Sequence, residues 1–431
     1  MIAAAVTVAV ATVIAVYIVL LVAKRARNKR VSRWARKAEQ LQLSSTREQV
    51  VTVIVNPYGG SKLASKIYRD VAEPQLLRTG TKSRLLLTQR AGHARTMGRD
   101  IVAADGNERT DTIVSIGGDG LLNEVFNGMY EAVCQQHSPA GCWPDISSLA
   151  AAACNSSRGV RLCAVPGGSM NGVALCLGIE DPADAVEALF NESGTKMDLL
   201  LCSALYHNDD GSQRVENCFA AMHVSWAVVA DHDVLHEKKL RRLGPSLKGI
   251  VAPLLCIMAS RTYSATVRFL PVKDGYDHEH YSDYREFDVD DVTPADSRGW
   301  KQADEEWRVV PKSSYALVTA ANIPMACADL YLSPRVTIDE GAFDLLLIPA
   351  KDFLALSYWQ MVQLFILFTK GEHVSHPVVR AYKVSAFHLA DMDRSVSCVS
   401  VDGEILRTPT ELRTRIVPRC LPVCTRAATQ S

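Results

Sequence analysis

Apolar positions recur along the chain in two periods, and the change from one to the other divides it. Val50-Val51-Thr52-Val53-Ile54-Val55 is a β-branched run of the kind that fills a buried strand. Asn56-Pro57-Tyr58-Gly59-Gly60 then turns the chain, and 61–77 reads as a helix. The unit repeats as strand 83–88 with helix 94–103. It repeats again as strand 111–116, closed by Gly117-Gly118-Asp119-Gly120, with a helix spaced by Leu121, Leu122, Val125, Phe126 and Met129. Strand 162–166 ends in Gly167-Gly168-Ser169-Met170-Asn171-Gly172 before a short helix over 173–177, and Asp181-Pro182 opens another as N-cap and first helical residue. This alternation predicts a Rossmann-like, mostly parallel sheet with helices on its faces.

From Met197 the period moves towards two. Strands are predicted over 198–202, 218–224, 262–271, 308–320, 343–348, 382–389 and 395–401, a mainly antiparallel β-sandwich with two or three inserted helices. Residues 135–159, rich in Ser, Ala and Pro, form a surface insertion. Residues 273–306, with twelve acidic against four basic side chains, form a solvated acidic one. The segment 352–370 is apolar nearly all round yet short for a membrane span, which leaves open a core helix or a wall for an apolar ligand.

Charge placement adds an N-terminal element. Residues 2–23 carry no charge and are long enough to cross a hydrocarbon layer of about 30 Å. Lys24, Arg25, Arg27, Lys29, Arg30, Arg33, Arg36 and Lys37 all follow that run, so the positive-inside rule predicts a single-pass transmembrane anchor with the rest of the chain in the cytosol. The expected organisation is an anchor over 1–23 and a basic juxtamembrane linker over 24–48. An α/β nucleotide-binding domain over 49–196 and a β-sandwich domain over 197–425 follow.

The 431 residues hold 47 Lys+Arg and 47 Asp+Glu, with 48% hydrophobic and 22% charged residues, which excludes a disordered chain. With the basic cluster set aside the remainder is acidic, which disfavours a nucleic-acid partner. The 12 cysteines follow no regular spacing, and Cys420 and Cys424 lack the further ligands of a zinc site, so reduced thiols are expected.

Three glycine turns, each after a buried strand and each opening a helix, converge on the carboxyl edge of the predicted sheet, where open α/β sheets bind ligands. Backbone N–H groups unblocked by Cβ atoms, together with helix N-termini, suit a polyphosphate, although no turn is closed by the Gly-Lys-Ser/Thr of a Walker A loop. Asp119, held between Gly118 and Gly120 at a strand tip, offers a carboxylate for proton removal or metal contact in phosphoryl transfer. Taken alone, it is equally a turn residue.

Gly117-Gly118-Asp119-Gly120 with Leu121 and Asn123-Glu124-Val125 resembles the signature of the diacylglycerol-kinase catalytic superfamily. Asn56-Pro57 with Gly59-Gly60, and Pro166 to Asn171, resemble its nucleotide turns. Within it the chain looks most like the sphingosine kinases, through Ala230-Asp231-His232-Asp233, Glu237-Lys238, Arg241 to Gly244, Lys370-Gly371-Glu372-His373 and Val401-Asp402-Gly403-Glu404. The resemblance implies Asp119 as catalytic base. It implies ATP contacts at Asn56, Pro57, Tyr58, Gly59, Gly60, Thr88, Gln89, Arg90, Ala91, Gly92, Glu124, Gly168, Ser169, Met170, Arg241, Asp402, Gly403 and Glu404. Gly117, Gly118, Asp119 and Gly120 would face the substrate hydroxyl, and Asp233 the substrate amine. Met170 stands where the family often has Gly.

The expected protein is a membrane-anchored lipid kinase using ATP and Mg²⁺ on a sphingoid base, with membrane lipids as further partners. The alternatives are a diacylglycerol or ceramide kinase, an NAD kinase, and an inactive lipid-binding protein.

Overall fold

The computed structural model describes residues 28–43, 48–59, 61–104, 109–137, 149, 151–153, 159–191, 194–207, 210–228, 230–231, 263–272, 307–392 and 398–426. Strands β1 (Val50–Val55), β2 (Lys82–Leu87), β3 (Thr112–Gly117) and β4 (Arg161–Pro166) lie parallel in the order β2-β1-β3-β4. The two central strands are buried almost throughout, as their β-branched runs require. Helices 64–78, His93–Ala103, Asp119–His137, Gly172–Cys176 and Pro182–Phe190 complete the expected α/β layer. Helices His93–Ala103 and Asp119–His137 press backbone to backbone. A Cβ on Gly98 would fall 2.3 Å from the Val125 carbonyl oxygen, and one on Gly128 would fall 1.9 Å from that of Arg95.

The second half is an antiparallel β-sandwich. It comprises β5 (Thr195–His207), β6 (Gln213–Ala220), β7 (His223–Ala227), β8 (Tyr263–Pro271), β9 (Arg308–Ala321), β12 (Phe343–Pro349), β13 (Arg380–Ala390), β14 (Cys398–Val401), β15 (Glu404–Arg407) and β16 (Glu411–Val423). The small β10 (Met325–Cys327) and β11 (Leu330–Tyr331) pair separately. Trp226, Tyr263, Phe343 and Phe387 fill the core. β16 joins the two halves: it runs antiparallel to β5 and β13 and meets β4 in parallel at Val423 and Leu162.

Several predicted elements change. The strand expected over 218–224 divides into β6 and β7, because the N–H groups of Ala221, Met222 and His223 turn to the Asp402 carboxylate. The segment 352–370 breaks at Ser357, whose side chain exchanges capping-box hydrogen bonds with Gln360, giving helices Ala350–Leu354 and Tyr358–Lys370.

The expectation of a single-pass membrane protein is corrected. Among the described residues no helix is long and apolar enough to cross a membrane, and the anchor expected over 1–23 lies outside them. Much of the supposed juxtamembrane linker is a helix, 28–39, docked on the α/β domain through the buried Val31 and Ala38. Lys37 bonds Asp181 at 2.8 Å and Asp184 at 2.7 Å, so this cation pairs with the two carboxylates that cap helix Pro182–Phe190.

Candidate active site

The carboxyl ends of the four adjacent parallel strands place their loops side by side. Asn56 to Gly59 follows β1, Thr88 to Gly92 follows β2, Gly118 follows β3, and Gly167 to Asn171 follows β4. The middle turns touch: Gly167 donates its N–H to the Gly117 carbonyl at 2.8 Å, and a Cβ on Gly168 would fall 2.4 Å from the Gly118 Cα. Glycine at 168 is therefore a packing requirement. The Ser61 hydroxyl bonds the Gly167 carbonyl, tying the first turn to the third.

The first two turns of helix Asp119–His137 hold these loops. The Asp119 carboxylate accepts N–H groups from Gly172 at 3.1 Å and Val173 at 3.2 Å. Asn171, left-handed at φ 60°, caps that short helix and accepts the Gly168 N–H at 2.8 Å. The Glu124 carboxylate accepts N–H groups from Gly92 at 3.0 Å and Ala94 at 3.1 Å, seating the loop after β2. Asn123 donates to the Asp402 carboxylate at 3.0 Å and also bonds the Phe219 carbonyl. Asn127 and Tyr130, one and two turns further on, bond Phe219 and the Cys420 carbonyl.

Asp402 is a knot of main-chain bonds. Its carboxylate accepts N–H from Ala221 at 2.7 Å, Met222 at 2.8 Å and His223 at 2.9 Å. With Gly403 it forms the two-residue turn between β14 and β15, both residues at positive φ (52° and 90°). That turn sets the exposed Glu404 beside the β3 loop, its Oε1 3.9 Å from where a Cβ on Gly120 would lie.

The Asp119 carboxyl is pushed up to about 6, chiefly by burial and in part by the neighbouring Asp402 charge. The N–H groups of Val173 and Gly172, and that of Asn171, pull the other way. A carboxyl so poised can gain or lose a proton near neutrality.

Tyr58, Gln89, Arg90, Ala91, Ser169 and Met170 are exposed on the rim of these loops, while Thr88 is buried beneath them. Asn56 folds its side-chain oxygen onto the Tyr58 N–H at 3.0 Å, and Pro57 stands between them. Gly60, Asp233 and Arg241 lie outside the described residues, as do 273–306 and most of 135–159. Asp231 is described, and it accepts the Tyr263 hydroxyl. Sequence reasoning did not single out Asn127, and it took Asn123 and Asn171 only as parts of motifs. Their side-chain amides do the stitching, and nothing in a helical pattern distinguishes an amide that bonds another domain from one that faces water.

A parallel sheet whose glycine turns surround a clamped aspartate, closed by a β-sandwich, is the arrangement of a nucleotide-using phosphotransferase. Residues 50–202 match the diacylglycerol kinase catalytic domain, and residues 301–425 match the YegS C-terminal NAD kinase β-sandwich-like domain. The chain thus pairs a diacylglycerol kinase catalytic domain with a YegS-type β-sandwich domain. It is 27% identical over 380 residues to sphingosine kinase 1 of Homo sapiens, covering 83% of this chain and 86% of that protein. It is 25% identical over 387 residues to sphingosine kinase 1 of Arabidopsis thaliana, covering 86% of this chain and 72% of that protein. A crystal structure described as that of a candidate diacylglycerol kinase from Bacillus anthracis superposes with a TM-score of 0.55 at 16% identity. It covers 88% of this chain and 96% of that one and shares its fold.

Proposed function

We propose that this chain transfers the γ-phosphate of ATP to the primary hydroxyl of a sphingoid base, with Asp119 as the base that takes the hydroxyl proton. The chain is an ATP-dependent lipid kinase, and its sphingosine-kinase relatives support the substrate class. The observation that carries the mechanism is the Asp119 carboxyl, held at about 6 by burial where three glycine turns meet. Their N–H groups are suited to phosphate oxygens, and Gly117, Gly118 and Gly120 let the acceptor approach without a side chain in the way.

Glu124 and Asp402 spend their carboxylates on backbone N–H groups, so their part in ATP binding is to position the loops at Gly92 and Gly403. Glu404 is the exposed carboxylate of that neighbourhood. Among the described residues no three His, Cys, Asp or Glu side chains gather to hold a metal. A Mg²⁺ carried by the ATP phosphates would have Glu404 and Asp119 as its candidate carboxylate ligands and would supply neutralisation of phosphate charge. Arg241 is assigned to the phosphates. Asp233 is assigned to the ammonium of the base, because Asp231, two residues earlier, is already engaged by Tyr263.

Labelled ATP offered separately with sphingosine, dihydrosphingosine, ceramide and diacylglycerol tests the assignment. Phosphorylation of the two amines is expected. Equal or preferred phosphorylation of ceramide or diacylglycerol would sink it.

A further inference from the structure

Helix Tyr358–Lys370 is apolar nearly all round, a composition that normally belongs inside a protein, yet only Leu364 within it is buried. Its inner side, with Phe353 of the preceding helix, packs on Leu317, Leu346 and Ile348 of the sheet. Its outer side meets nothing among the described residues. Leu354 is 49% exposed, Tyr358 52%, Trp359 74% and Ile366 44%. Trp359, Ile366 and Lys370 share one stripe at helical spacing, and Tyr358 packs edge-on against Trp359 with ring centroids 5.9 Å apart.

The charges flanking this face favour one kind of cover. Lys351 and Lys370, at its two ends, are exposed cations, whereas Asp352 is drawn away to Arg380 at 3.1 Å. No acidic residue occurs from Phe353 to Gly371, and the exposed Glu372 lies beyond the end of the helix. A second copy of the same face would set cations and apolar groups against cations and apolar groups. An anionic bilayer offers complementary charge and an apolar interior, and a Trp–Tyr pair suits the depth between them.

We propose that this face docks on the surface of an anionic membrane, with Leu354, Trp359 and Ile366 entering the interface and Lys351 and Lys370 meeting lipid phosphates. The proposal rests on the lipid-kinase reading in one respect: a kinase whose acceptor resides in a bilayer must collect it there.

The test uses the full chain and Trp359→Ser/Ile366→Ser in that chain, with phosphatidylcholine vesicles containing about one third phosphatidylserine. Hydrogen exchange over 354–370 should slow when vesicles are added to the wild type and stay unchanged in the variant. Turnover of sphingosine held in those vesicles should fall about tenfold in the variant, while turnover of a water-soluble short-chain analogue stays within about twofold. Exchange unaltered by vesicles, or equal vesicle turnover by both proteins, would overturn the proposal. Protection that grows with protein concentration in the absence of lipid would overturn it in favour of a second copy as the cover. The exchange measurement needs no turnover, so it decides the surface even if the substrate assignment fails.

Discussion

Asn123 and Asp402 are separated by 279 positions in the chain and meet at 3.0 Å, one on the helix that begins at Asp119, the other at the tip of a β-sandwich hairpin. Through this contact the α/β domain grips the segment that presents Glu404. The grip is buried, since Asn123 is 7% and Asp402 8% exposed, and its acceptor oxygens serve three further N–H groups. Removing the carboxylate therefore strands several donors at once.

Asp402→Ala should destabilise the protein by about 3 kcal/mol, the sum of more than one unsatisfied buried donor. It should also raise the KM for ATP about tenfold or more by freeing the turn that carries Glu404. Asp402→Asn retains one acceptor oxygen and should fall between. Denaturant unfolding and initial-rate kinetics check both, and an Asp402→Ala protein with wild-type stability would show that the main-chain bonds are made elsewhere.

Glu124→Ala should loosen the loop at Gly92 while leaving Asp119 untouched. The expected result is a KM for ATP about tenfold higher with kcat changed less than about threefold, and Glu124→Gln should recover part of the loss. A fall in kcat at constant KM would instead place the carboxylate in the chemical step.

Asp119→Asn should lower kcat by about 10²-fold or more with the fold intact. Because the carboxyl holds its proton up to about pH 6, the wild-type rate should be full above that value and fall as pH drops through it. A carboxyl whose pKa is raised on folding favours the folded state at low pH, and this contribution disappears as pH rises through about 6. Asp119→Asn should therefore be no less stable than wild type at pH 8, while being nearly inactive. A pH–rate profile and melting curves at pH 5 and 8 check this.

Asp233→Asn should weaken sphingosine binding by about 1.5–3 kcal/mol, the value of a charge-assisted hydrogen bond, and leave the KM for ATP alone. Asp231→Asn should instead lower stability, because its partner is the buried Tyr263. Equal losses towards amine-bearing and neutral lipids would remove Asp233 from recognition.

The α/β layer was legible because β1 and β3 are β-branched runs and each turn carries glycine. The Asp181-Pro182 helix start was legible to the residue, although the capping box with Asp184 was not anticipated. β16 was not, because Pro418 and Pro422 argue against a strand that sits between neighbours. The structure accommodates them with a register shift between Val417 and Leu421, where Arg419 adopts φ 47°. β15 was missed for another reason: at four residues, Glu404–Arg407 is too short to show a period. In the site, the glycines and Asp119 were legible from local chemistry. The amides of Asn123 and Asn127 were not, since their partner Phe219 lies on a strand far along the chain. The exposure of Trp359 was likewise unreadable, because periodicity tells which residues are apolar and not which of them find a neighbour.

The seam where Val423 lies beside Leu162 has a bearing on how the protein is made. During synthesis β4 emerges early, and the strand that meets its free edge at Leu162 leaves the ribosome only after the rest of the β-sandwich has been translated. Until then the first domain carries an unpaired strand edge and lacks the Cys420 carbonyl that receives the Tyr130 hydroxyl. The nucleotide-binding half is thus a late-completing unit. A nascent chain arrested before Glu411 should expose β4 to chaperones or to other chains, however well its own α/β pattern is written.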